Sequence, residues 1–156
     1  MKIKLIAFFI LCCWLISCTT YIAPVSRQIQ NSFTFDKPFE IVWQSVIEVF
    51  AKLNLSIMNM EKASGLITTD WISFGSRDNI TGYCSCGKLI NEENKNVLVG
   101  DRRGRFNVYV KKVSDSSCEL MVNAVFELAN INGPLHCEST GKLEAEIYKG
   151  VSAIIK

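Results

Sequence analysis

The sequence lacks the motifs by which most enzymes and metal sites are recognised. It has a single histidine, no H-E-x-x-H zinc motif and no G-x-S-x-G nucleophile elbow. Cys-x-x-Cys pairs, which are typical of redox-active sites and structural zinc sites, are absent as well. We therefore predict that the protein is not an enzyme and that it uses no metal ion and no other cofactor.

Excess charge is also missing. The chain has 17 Lys and Arg against 15 Asp and Glu, and Lys2 and Lys4 account for the difference. Beyond them the charges balance, so there is no broad basic surface to neutralise the phosphates of a nucleic acid, and no nucleic-acid partner is expected. The one basic cluster, Asp101 to Arg105, is interpreted as a solvated turn before a strand. Contact with lipid headgroups or with an acidic protein surface is the alternative.

The first 18 residues carry the features of a lipobox. Lys2 and Lys4 form a positive region, residues 5–16 form an uninterrupted apolar run, and the small residue Ser17 precedes Cys18. Twelve helical residues reach only about 18 Å, which is short of the roughly 30 Å core that a spanning helix must cross. The pattern resembles the signal sequences of bacterial lipoproteins. That resemblance implies cleavage before Cys18 and acylation of this cysteine.

The same resemblance implies an address in the cell envelope. Two or three acyl chains on Cys18 would hold the protein on a membrane more firmly than a single chain, which binds reversibly. In the Gram-negative lipoproteins that the chain resembles, Asp after the cysteine retains the protein at the inner membrane. Thr19 therefore implies the outer membrane in such a bacterium. We divide the chain into a signal peptide (1–17), a lipidated N-terminus and tether (18–30), and one domain (31–156).

Two amphipathic helices are predicted in the domain. Asp36 is expected to cap the first, with Pro38 in its first turn, and its apolar face runs from Phe39 to Leu53. Ser139 or Thr140 is expected to cap the second. Alternating and β-branched residues predict strands near 32–35, 55–60, 66–74, 106–110 and 120–128. A long insertion at about 75–104 lacks periodicity, and connections of that length are usually functional or held in place.

The resulting order, β-α-β-β-β-β-α, predicts an α+β two-layer sandwich. We expect an antiparallel sheet of about four to five strands with both helices on one face. This order, together with a helix, strand, Ala63-Ser64-Gly65 turn and strand passage, resembles the helix-grip domains of outer-membrane assembly lipoproteins. The resemblance covers residues 32–155 and implies architecture, because no functional motif carries over.

Seven cysteines are present, and four lie in the predicted domain: Cys84, Cys86, Cys118 and Cys137. An even number in an exported domain predicts disulfides. A Cys84–Cys86 bridge would close a very tight ring, and Cys118 alternates with apolar residues as a buried thiol would. A bridge from Cys84 or Cys86, with a slight preference for Cys86, to Cys137 is favoured, and it would tie the insertion to the last helix.

A metal site is the competing interpretation of the same residues. Cys84, Cys86, His136 and Cys137 offer four nitrogen and sulfur ligands. Their C-x-C and His-Cys spacings suit tetrahedral zinc poorly, and an oxidising compartment favours disulfides instead.

Two function classes follow. The first is a non-enzymatic, membrane-anchored envelope lipoprotein that binds another envelope protein as an interaction or assembly accessory module. The second is a binder of a small apolar or lipid ligand between the sheet and the helices. An exposed apolar patch would favour the first, and a closed apolar cavity of about 300 Å³ or more would favour the second.

Overall fold

A computed structural model describes residues 20–74, 82–90, 98, 100–130 and 133–156. The predicted lipobox, including Cys18, lies outside these residues, as do parts of the insertion. Within the described ranges, no helix is long and apolar enough to cross a membrane.

The described residues form two helices and ten strands. The helices are α1 (Phe39–Lys52) and α2 (Lys142–Ile154). The strands are β1 (Thr20–Ile22), β2 (Ser32–Phe35), β3 (Ile57–Glu61), β4 (Leu66–Thr69), β5 (Ile72–Ser73), β6 (Cys84–Ser85), β7 (Lys88–Ile90), β8 (Asp101–Lys112), β9 (Cys118–Asn130) and β10 (Gly133–Ser139).

Eight of the strands form one antiparallel sheet in the order β3-β4-β8-β9-β10-β6. β2 pairs with the start of β9 and β5 with the start of β8, while β1 and β7 form a separate two-stranded sheet. The predicted α+β class and antiparallel sheet are confirmed. The predicted number of four to five strands is wrong, because β5 and β6 have only two residues each and are too short to show periodicity. β10 is not predicted from the sequence, because Gly133 and Pro134 at its start are typical of a turn.

The two long central strands explain how one face of the sheet becomes the core. Even-numbered residues of β8 pair with even-numbered residues of β9, as Val108 does with Val122 and Val110 with Leu120. Successive side chains of a strand point to opposite faces, so all these residues lie on one face. Both helices pack against each other and against this face. The fully buried core includes Val42, Val46, Phe50, Ile67, Phe106, Val108, Leu120, Val122, Phe126, Leu128, Ile147 and Val151.

Both helices begin later than their predicted caps. Pro38, not Asp36, is the N-cap of α1, and no side chain caps it. α2 starts after Gly141, whose φ of 82° is in the left-handed region that favours glycine. The Ser139 hydroxyl accepts the Gly141 N–H, so Ser139 bonds the backbone outside the cap position.

The predicted strand at 66–74 is divided. Its two parts, β4 and β5, both pair with β8. Between them the Trp71 N–H donates to the carboxylate of Asp70 at 2.7 Å. This local bond competes with the ladder, which is a common effect of Asp side chains in strands.

The segment expected to be a tether contains β1, which pairs with β7 of the insertion. Gly87, with φ 79°, permits this approach, since a Cβ there would lie 2.3 Å from the Ile22 carbonyl oxygen. The Tyr21 hydroxyl also donates to the Cys86 carbonyl at 3.2 Å. Residues 20–22, which follow Cys18 closely, are therefore packed on the insertion.

Candidate functional site

A disulfide pins the insertion to the sheet. β6 pairs with β10 so that Cys84 opposes Ser139 and Ser85 opposes Glu138. Continuing this antiparallel register puts Cys86 opposite Cys137. These two cysteines form a disulfide, with their Cα atoms 4.1 Å apart. Of the bridges left open by the sequence, the one slightly preferred is present.

The other two predicted site cysteines are free thiols. Cys84 lies two residues from Cys86 on the same strand face, and the Cys84, Cys86 and Cys137 sulfurs are all within 4.8 Å of one another. Burial raises the pKa of the Cys84 thiol, and the positive charge of Arg102 opposes that rise. Cys118 is fully buried at the start of β9, and burial raises the pKa of its thiol too. The alternation of Cys118 with apolar residues predicts a buried thiol, and the structure has Cys118 in such a position.

The three clustered sulfurs form the kind of ligand set that a soft metal ion prefers. Two of them are joined in the disulfide, so they are not available as thiolates. His136, the fourth ligand considered from the sequence, has the opposite parity to Cys137 on β10 and points to the other sheet face. Its side chain is 68% exposed, and its Nε2 lies 3.6 Å from Glu138. The structure thus separates His136 from the cysteines.

A polar network attaches the insertion to the start of α2. The Tyr83 hydroxyl donates to Glu146 at 2.7 Å, and the Thr140 N–H donates to the Tyr83 carbonyl at 3.0 Å. The hydrogen bond to Glu146 raises the pKa of Tyr83, with burial adding to the rise. No motif in the sequence signals this network, because its partners are about 60 residues apart.

The same end of α2 holds a buried carboxylate. Glu144 is fully buried, and the Ser139 hydroxyl donates to its Oε1 at 2.8 Å. Its Oε2 has no hydrogen-bond partner among the described residues.

The uncovered face of the sheet carries the basic cluster. The interpretation of residues 101–105 as a solvated turn is wrong, since they lie within β8. Arg103 and Arg105 point outward and stack on Trp71, with guanidinium carbons 4.9 and 5.0 Å from the ring centroid. Arg103 also bonds Glu127 on β9. Arg102 points the other way and is buried. Strand alternation therefore splits the cluster between two faces.

The edge of the sheet at β3 is open and apolar. Every residue of β3 is exposed, including Ile57, Met58 and Met60 at 37%, 67% and 49%. Within the described part of the chain, β3 pairs only with β4. The register with β4 skips Met58, so a bulge turns this side chain out of the ladder. The sequence predicts the strand but not that it would be an edge.

The described part of the chain has surface grooves with volumes of about 420, 300 and 250 Å³. The first is flanked by Lys62, Lys111 and Lys112 beside Gly65. The third is apolar and lies between the helices, where it is lined by Val49, Lys52, Leu53, Glu146, Gly150, Ala153 and Ile154.

Comparison with known proteins gives little beyond this geometry. No protein-family model matches the chain, and no curated protein matches it. Among solved structures, it is similar to a DUF4468 family protein from Bacteroides ovatus ATCC 8483, with a TM-score of 0.43 and 9% identity. The match covers 86% of this chain and 92% of that one. A likeness at this level assigns neither family nor function.

Proposed function

We propose that this chain is a non-enzymatic envelope lipoprotein whose domain binds another envelope protein along the open edge of β3. The lipobox ending at Cys18 supports the anchor, and outer-membrane sorting is proposed for a Gram-negative host because residue 19 is Thr. The exposed apolar edge of β3 is the observation that supports the binding.

Edge strands present unpaired backbone N–H and C=O groups and are normally protected. Lysine, proline or a very short strand commonly supplies the protection. β3 has neither lysine nor proline, and its only protective features are Glu61 at its end and the bulge at Met58, whereas the opposite edge strand, β6, has only two residues. The bulge at Met58 interrupts the edge but leaves Asn59 to Glu61 in regular register.

The partner that fits this edge is an extended segment of a protein. Main-chain hydrogen bonds supply affinity in strand addition, and alternate side chains supply specificity. Met60 is the register partner of the core residue Ile67, so it lies on the helix side of the sheet. A partner strand with apolar side chains on that side would cover Met60. Methionine adapts to differently shaped partners, because its side chain is flexible and polarizable.

A binder of a small apolar or lipid ligand is the second candidate. The apolar groove of about 250 Å³ between α1 and α2 supports it. This groove lies between the helices, whereas the sheet side of the helices is filled by buried residues such as Phe50 and Phe106. Small-molecule sites usually have volumes of about 300 Å³ or more. We therefore place the ligand class second.

The test is site-specific photo-crosslinking in native membranes, using the full-length lipidated protein. The crosslinker replaces Met58 on the edge or, as control, Val113, which is equally apolar and 60% exposed but lies outside β3. We expect one envelope protein to crosslink at Met58 and not at Val113. The crosslinked peptide should come from an extended segment. Cys18→Ala, which prevents acylation, should lose the product.

A matched pair of charge variants completes the test. Met58→Lys with Met60→Lys places on β3 the charges that protect natural edges and should abolish the crosslinked complex. Val113→Lys should leave it intact. Equal crosslinking at both positions, or a complex that survives the double variant, would reject the edge as the binding surface. A lipid that co-purifies with the protein in place of any partner would favour the second candidate.

A further inference from the structure

A free thiol lies beside the disulfide in the core. The sulfur atoms of Cys84, Cys86 and Cys137 are all within 4.8 Å of one another. Cys84 is 4% exposed, Cys86 4% and Cys137 1%. Thiols in solution therefore have little access to the bridge, whereas Cys84 is in direct reach of it.

The thiol of Cys84 lies beside one buried positive group. Burial raises the pKa of this thiol, and the guanidinium of Arg102 offsets part of that rise. Ser139 is the cross-strand neighbour of Cys84, and its hydroxyl group donates a hydrogen bond to the buried carboxylate of Glu144. The charged groups near Cys84 are thus Arg102, which lies on β8, and Glu144, which lies on α2.

We propose that Cys84 exchanges with the disulfide, so that the bridge alternates between Cys86–Cys137 and Cys84–Cys137. The Cys84 thiol gives up its proton, and its sulfur forms a bond to the Cys137 sulfur. The electron pair of the Cys86–Cys137 bond leaves with Cys86, which takes up a proton. One disulfide and one thiol are present before and after, so no oxidant or reductant is consumed. Attack on Cys86 instead would close the tight Cys84–Cys86 ring, which geometry disfavours.

The exchange moves the insertion relative to the sheet. Cys84 now opposes Ser139, two residues from Cys137 on β10. Bringing Cys84 opposite Cys137 shifts β6 by two residues, which is about 7 Å along the strand. β6 has only two residues in the ladder, and the hydrogen bonds that oppose the shift are those of this short ladder and those of the preceding Tyr83 with Glu146 and Thr140. β7 follows β6 directly and carries β1 with it, and the contact between the N-terminal segment and the insertion therefore depends on which bridge is present.

The test maps the free thiol in the full-length, lipidated protein in detergent. Wild type is held at pH 7, 8 and 9 without reductant, quenched with acid, denatured and alkylated with N-ethylmaleimide. Tandem mass spectrometry distinguishes a label on Cys84 from one on Cys86 within a single peptide. We expect about 1–10% of the label on Cys86 at equilibrium. Below the pKa of the Cys84 thiol, the approach to equilibrium should be about tenfold faster per pH unit, as thiolate attack requires.

Two variants separate exchange from other routes. Cys137 pairs with Phe126 of β9, and Cys118 lies eight residues away from Phe126 along the same strand. Cys118 is therefore about 27 Å from the Cys84, Cys86 and Cys137 sulfurs. Cys118→Ala should leave the label on Cys86 unchanged, and Cys84→Ala should abolish it. The proposal is overturned if the wild-type label stays on Cys84 and Cys118 at every pH and time. It is also overturned if Cys86 is labelled in Cys84→Ala.

Discussion

Removal of the Cys86–Cys137 bridge should cost the domain a large part of its stability. The bridge joins residues separated by 51 positions. A cross-link that closes a loop of this size lowers the entropy of the unfolded chain by about 14 cal/mol/K, or about 4 kcal/mol at 25 °C. Domains of this kind are stable by only about 5–15 kcal/mol, so the loss should be easily measured.

The measurement is urea unfolding of Cys137→Ala in the absence of reductant. Alanine is chosen because a serine would place a hydroxyl at a site that is 1% exposed. Cys118→Ala is the matched control, since Cys118 is equally buried but forms no bridge. The control reports the packing cost of losing a buried sulfur. Cys137→Ala should lose up to about 4 kcal/mol more than the control, and proteolysis of the insertion should increase while α1 and the β3–β4 hairpin stay protected.

Cys86→Ala adds an internal comparison. In this variant Cys84 is free to bond Cys137, so an oxidised sample should lose less stability than Cys137→Ala does. Equal losses for Cys137→Ala and Cys118→Ala would refute the reasoning, because they would mean that the bridge constrains nothing. Unchanged proteolysis of the insertion in Cys137→Ala would contradict its role in holding that segment.

Two further predictions concern a turn and a pH dependence. Gly65→Ala should destabilise the protein more than Gly133→Ala, by about 1–3 kcal/mol, as measured by urea unfolding. Both glycines have positive φ, but a Cβ at Gly65 would lie 2.1 Å from the Val110 carbonyl oxygen, while a Cβ at Gly133 would meet no atom of the described residues within 4 Å. Equal losses would contradict this contact. Tyr83 has a pKa raised above 10.0, so its contribution to stability is complete below pH 10 and is lost as pH rises through the raised value. Tyr83→Phe should lack that alkaline loss in unfolding curves from pH 8 to 11, and an unchanged alkaline slope would show that the Glu146 hydrogen bond does not perturb Tyr83.

The sequence predicts those elements whose signal is local and long. α1 and α2 have 14 and 13 residues with one apolar face each, and apolar residues alternate over 106–110 of β8 and 120–128 of β9. Such periodicity is enough to predict these elements. Residues 101–105 lack it, and the start of β8 is therefore misread as a turn. β6 and β7 owe their existence to partners far along the chain, Glu138 and Ser139 for β6 and the N-terminal segment for β7. No local pattern can indicate pairings of that kind.

The candidate site divides in the same way. Cysteine count and the alternation around Cys118 point to a buried thiol and a bridge to Cys137. The choice between Cys84 and Cys86 depends on the register of β6 against β10, and a slip of two residues reverses it. The open edge of β3 is likewise invisible in sequence, because an edge is defined by the strand that is missing beside it.

The order of strands also relates the proposed anchor to the proposed binding edge. Thr20, the first residue of β1, is two residues from Cys18, so an acylated Cys18 would lie within about 7 Å of it. β1 pairs with β7, and β7 follows β6, which forms one edge of the large sheet. β3 forms the other edge, five strand spacings away, or about 24 Å. Lipid on Cys18 would therefore hold the β6 edge near the bilayer and leave the β3 edge accessible to a partner. Because β1 and the disulfide meet in the insertion, exchange of the bridge would act on the contact between the N-terminal segment and the insertion, at the opposite side of the sheet from the β3 edge.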